Sequence, residues 1–127
     1  MSIHTEIITR ALNEKSAEGH PLWQYHDSYE PALEALEADG KAVRLRLDAL
    51  QAGSESLSET VRREALVLTG WYLPEAAVAR LEREAWNQER WASFPSTHPT
   101  TMVWCARYAT HLRSMAAKLA ASIMEAS

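Results

Sequence analysis

The chain has 127 residues, a net charge of −4, 46% hydrophobic and 24% charged residues, enough for one domain (residues 1–127) with its own core and too apolar for disorder. The acid excess argues against general binding to a phosphate backbone, and a lone cysteine, Cys105, excludes an intramolecular disulfide and a Cys-rich zinc site. Charges at the N-terminus leave no signal-peptide core, and no uncharged apolar run approaches the roughly 18 residues a membrane span needs.

In chain order, Ser2 is placed to cap a first helix whose apolar stripe is Ile3, Ile7, Ile8, Ala11 and Leu12. Gly19 supplies a left-handed stop, and His20-Pro21 restarts the chain. Leu22, His26, Tyr29, Leu33, Leu36, Gly40, Val43, Leu47 and Leu50 then alternate by four and three, the seam of a long second helix. Pro31 must kink that helix, unless the capping box Asp27-Ser28-Tyr29-Glu30 restarts it nearby. On this seam Gly40 serves close approach of a partner helix.

Gly53 closes the segment, and Ser56-Leu57-Ser58-Glu59 opens a third helix with Leu57, Val61, Ala65 and Leu68 inward. The stretch Ala65 to Leu73 is apolar nearly all round and belongs in the centre. Pro74 either kinks this helix or begins another through Val78, Leu81 and Ala85 to about Trp91. After a loop, Ala92 to Pro99, a long last helix carries the seam Met102, Cys105, Ala109, Leu112, Ala116, Leu119 and Ile123. No segment carries a clear strand pattern. The expected fold is all-α: a compact bundle of four helices if Pro74 only kinks, five if it breaks.

Two side-chain groupings could carry chemistry. His20, Trp23, Tyr25, His26, Asp27, Tyr29 and Glu30 concentrate hydrogen-bonding groups in one short stretch. A His beside a carboxylate and a phenol is a minimal acid–base kit, so His26 is the candidate base, Tyr25 or Tyr29 the donor and Glu30 the orienter. On the last helix Trp104, Tyr108, His111 and Met115 form a stripe that could roof an apolar pocket. His20, Trp23, Trp104, Tyr108 and His111 are therefore candidate binding residues, together with Trp86 and Trp91, which stand in a charged setting before the loop. The plainer reading packs the aromatics into a small core. No His has a Glu three residues before it, and no His-Glu-x-x-His, phosphate loop or nucleophile elbow occurs, so neither metal nor cofactor is expected.

These features suggest a binding or interaction protein, a homodimer with an aromatic- and His-lined pocket or patch for a small apolar or peptide ligand. The alternative is a cofactor-free enzyme steering proton transfer on an apolar or peptide substrate, as in the tailoring of a peptide natural product. A DNA-binding regulator ranks third, because candidate recognition helices open on Leu57-Ser58-Glu59 or Glu75-Ala76-Ala77 rather than on base-reading side chains. Arginine and alanine bias points to a bacterial source, and the single cysteine to the cytoplasm.

Overall fold

The computed structural model describes residues 3–22, 29–52 and 58–126. Among them are six helices: α1 (Ile3–Ala17), α2 (Glu30–Ala38), α3 (Leu47–Leu50), α4 (Ser58–Leu68), α5 (Pro74–Ser93) and α6 (Pro99–Ala126). Two short strands, β1 (Val43–Leu45) and β2 (Gly70–Tyr72), complete the fold. The architecture is predominantly all-α, as the periodicity implied, with a long C-terminal helix.

The seam from Leu22 to Leu50 is not one helix. The chain does restart near Pro31, which sits in the first turn of α2 after Tyr29. That helix ends at Ala38, because Gly40 adopts φ +74° and the Lys41 and Gly40 amides turn back to the Leu36 and Glu37 carbonyls. Nothing stands within 4 Å of where a Gly40 side chain would begin, so the glycine serves backbone conformation, not helix approach. Gly19 closes α1 in the same way, at φ +81°, with the His20 and Gly19 amides bonded to the Lys15 and Ser16 carbonyls.

After Gly40, Val43-Arg44-Leu45 forms β1, which pairs antiparallel with β2 in the register Val43 with Tyr72, Arg44 with Trp71 and Leu45 with Gly70. Leu22 closes on the other side of β2 through reciprocal 3.0 Å amide–carbonyl bonds with Trp71. Because strand side chains alternate between faces, β2 separates two cores. Tyr72 and Leu45 join the main core, with Leu50, Val61, Ala65, Leu68, Leu81, Tyr108 and Leu112. Trp71 joins a smaller core with Ile8, Leu12, Leu22, Leu33, Leu36 and Ala42.

The stretch Ala65 to Leu73 therefore changes structure halfway. α4 stops at Leu68, its outward Leu66 and Val67 remain exposed, and Gly70-Trp71-Tyr72 become a wholly buried strand. Pro74 begins a separate helix and does not kink a continuing one. The buried Ser16 hydroxyl accepts from the Leu73 amide at 3.0 Å, tying α1 to this junction. α5 and α6, joined by a short loop, form an antiparallel hairpin that carries most of the main core. The α6 seam is as spaced: Cys105, Ala109, Leu112 and Ala116 are buried, and the alanines let the two helices approach closely.

Candidate functional site

Three buried polar atoms lack a hydrogen-bond partner among the described residues: Gln88 Oε1, Trp104 Nε1 and Tyr108 Oη. Such orphans are rare, since leaving a buried polar group unpaired costs about 1–3 kcal/mol. All three belong to the α5–α6 hairpin, and Gln88 and Trp104 line a cleft of about 380 Å³. Its walls include Glu64 from α4, Glu84, Asn87 and Trp91 from α5, and Thr101 and Cys105 from α6.

The polar floor follows from the α5 sequence. Leu81, Glu84, Ala85 and Gln88 share the inward stripe of that helix, so a carboxylate and an amide occupy core positions and are buried there. Arg80 reaches Glu84 Oε2 at 3.3 Å, an ion pair whose side chains are only 16% and 10% exposed. Gln88 Nε2 donates to Glu84 Oε1 at 3.1 Å, which leaves the amide oxygen free. Glu64 faces Glu84 from the α4 side of the cleft. Burial, then the neighbouring Glu84 carboxyl, hold Glu64 above the usual carboxylate range, against the weaker opposing pull of Arg80. Glu64 thus keeps its proton more readily than a free side chain.

Burial also raises the Cys105 thiol, with Glu64 adding to the effect, so this cysteine is a poor nucleophile. The Tyr108 hydroxyl is raised as well, first by burial and then by Glu84 and Glu64. Its ring packs against Trp104 one turn earlier, with centroids 5.7 Å apart. Tyr72 contrasts with it: equally buried, it donates to the Leu68 carbonyl at 2.7 Å and is pushed up to about 12 by burial.

The candidate residues read from the sequence are divided by the fold. Trp104 lines this cleft, and Tyr108 packs against Trp104 outside the lining. His111, one turn further along α6, instead places Nε2 2.7 Å from the Ala49 carbonyl and ties α6 to α3. Trp91 lines the cleft and stacks on Phe94 at 5.7 Å. Trp86 is also exposed but, five residues before Trp91, faces away from it, with Arg90 4.8 Å over its ring. His20 is exposed at the end of α1. Trp23, Tyr25 and His26 lie outside the described residues. Tyr29 packs against the smaller core, and Glu30 pairs with Arg44 at 3.2 Å.

Glu64, Glu84 and Gln88 were not singled out from the sequence, although Glu84 and Gln88 stand on the Ala77–Leu81–Ala85 stripe. A polar pair on an otherwise apolar stripe was the available signal. A second, larger groove of about 720 Å³ runs along β1 and α4, with Arg44, Arg46, Arg62 and Trp71 in its wall. Arg44 lies 5.2 Å over the Trp71 ring and is already paired with Glu30. None of the orphaned polar atoms belongs to that groove.

Among the described residues no group of His, Cys, Asp and Glu side chains could hold a metal ion, and no helix is long and apolar enough to cross a membrane. Compared with family models, with curated proteins and with solved structures, the chain matches none.

Proposed function

We propose that this is a ligand-binding protein whose site is the cleft between α4, α5 and α6. The observation that carries the reading is the set of unpartnered polar atoms on Gln88, Trp104 and Tyr108, gathered on the hairpin that walls the cleft. A bound molecule with its own donors and acceptors would supply missing hydrogen bonds there, while Trp91 and Trp104 give it apolar contact. The volume, about 380 Å³, suits a small molecule or one peptide side chain.

A second reading has its own observation. The carboxyls of Glu64 and Glu84 both line the cleft, and Glu64 is held above the ordinary carboxylate range, a pairing suited to cofactor-free acid–base chemistry. In that version these two carboxyls, not His26, move the proton. In either version we take the protein to be bacterial, cytoplasmic and homodimeric. The free, buried Cys105 fits a reducing compartment, and exposed Leu66 and Val67 on the outside of α4 offer apolar surface to a second copy. Its solution mass tests the dimer.

The test of the binding reading is a small-molecule screen followed through the indole N–H resonances of the ¹⁵N-labelled protein. Hits should shift the Trp104 Nε1–H signal and slow alkylation of Cys105. Hits that leave Trp104 unmoved and map to the Arg44, Arg46 and Arg62 groove would overturn it.

A further inference from the structure

Among the described residues the charged groups of the cleft wall are all of one sign: Glu64 and Glu84 line it, and no Lys or Arg does. Arg80, whose charge reaches Glu64, is committed to Glu84 Oε2. Gln88 Oε1 adds an unpaired acceptor beside these carboxyls, in a residue only 4% exposed. Two indoles, Trp91 and Trp104, complete the lining, and aromatic faces attract cations. An anion would meet two carboxyls and no free positive charge. A neutral apolar molecule would leave Gln88 Oε1 unsatisfied.

We propose that the occupant of the cleft is an organic cation: a protonated amine on an aromatic body, held between Glu64, Gln88 and the indoles of Trp91 and Trp104. This rests on the cleft being the binding site. An ammonium group has donors only, matching the carboxyl oxygens and the orphaned amide oxygen.

The raised Glu64 carboxyl beside Glu84 gives the inference a second readout. A bound ammonium brings positive charge against Glu64 and lowers its pKa, so wherever Glu64 is still protonated, entry of the amine releases up to one proton to solvent. The groups facing Glu64 are Glu84 and Arg80 on α5, and Cys105 and Tyr108 on α6. The thiol and phenol are both raised, so neither ionises in the range where Glu64 does. The proton released belongs to Glu64.

The experiment compares phenethylamine, phenethyl alcohol and phenylacetate, one body with three head-group charges. Binding is measured by calorimetry between pH 5 and 8, and the site by the Trp104 indole resonance. The expected result is that phenethylamine binds at least tenfold more tightly than the other two at pH 7.5 and shifts the Trp104 signal. Its affinity should rise up to tenfold per pH unit until Glu64 is ionised, with a proton released to buffer. In Glu64→Gln the pH dependence should vanish. If the alcohol or the acid binds equally well or better at Trp104, the cleft stands as a site and the cation inference falls. Absence of binding by all three, with Trp104 unmoved, would overturn both.

Discussion

Tyr108 and Tyr72 are both fully buried tyrosines of the main core, yet their hydroxyls are treated differently, and phenylalanine substitution should separate them by sign. The Tyr72 hydroxyl donates to the Leu68 carbonyl at 2.7 Å, so Tyr72→Phe removes a good hydrogen bond and should cost about 1–2 kcal/mol. The Tyr108 hydroxyl has no partner among the described residues, so the folded state already bears a desolvation cost of about 1–3 kcal/mol there. Tyr108→Phe keeps the ring against Trp104 and deletes only the oxygen. The void left, on the order of 15 Å³, costs about 0.4 kcal/mol at ~24 cal/mol per Å³. The net expectation is a gain of about 1 kcal/mol. In a domain of this size that raises Tm by roughly 3–5 °C, while Tyr72→Phe lowers it by a similar amount or more. Urea titration with both variants, followed by tryptophan fluorescence and far-ultraviolet circular dichroism, checks the pair. If Tyr108→Phe loses 1 kcal/mol or more, its hydroxyl is satisfied in the folded protein, and the reasoning from orphaned polar atoms is refuted.

Three further outcomes follow from the same geometry. Glu64 has a folded pKa above its unfolded value, so the folded state binds the extra proton and stability should fall as pH rises from the ordinary carboxylate range through that raised pKa. Glu64→Gln should abolish this slope and be more stable than wild type at pH 8, as urea midpoints across pH will show. Arg80→Met strands a buried Glu84 and should cost about 3 kcal/mol at pH 7 in urea denaturation, while Arg80→Lys, which keeps the charge, should cost less. Equal losses in the two variants would contradict the ion-pair account. Gly40→Ala meets open space but must hold φ +74°, so it should cost about 1–2 kcal/mol through backbone strain alone, with Gly40→Asn costing less.

The fold was legible where one periodicity ran undisturbed. The α6 seam, the stop at Gly19 and the new start near Pro31 all follow from spacing and from residues that force or forbid one backbone conformation. Misreading began where two periods shared the same residues. Val43 and Leu47 fit a heptad seam, but with Leu45 they also fit the alternation of a strand, and the glycine before them decided for the strand. At Gly70-Trp71-Tyr72 every residue is buried, so no alternation could mark β2. A three-residue strand stands on the turns that flank it and on a partner far along the chain, both invisible to local pattern.

The site divides in the same way. Trp104 and Tyr108 stand out in the sequence because aromatic stripes are conspicuous at helical spacing, and both are buried on α6. Glu84 and Gln88 were passed over because charged and amide residues on a helix are ordinarily solvated, and only packing by α4 and α6 shows that these two are not. Glu64 reaches them from a different helix, a juxtaposition that sequence spacing does not encode.

The most direct test of the central claim is a crystal structure of the protein grown with phenethylamine, refined at a resolution that orients the Gln88 amide. The account predicts the amine nitrogen within hydrogen-bond distance of Gln88 Oε1 and a Glu64 oxygen, with the ring between Trp91 and Trp104. A cleft without the amine, with Gln88 Oε1, Trp104 Nε1 and Tyr108 Oη each satisfied by protein or by fixed water, would contradict it.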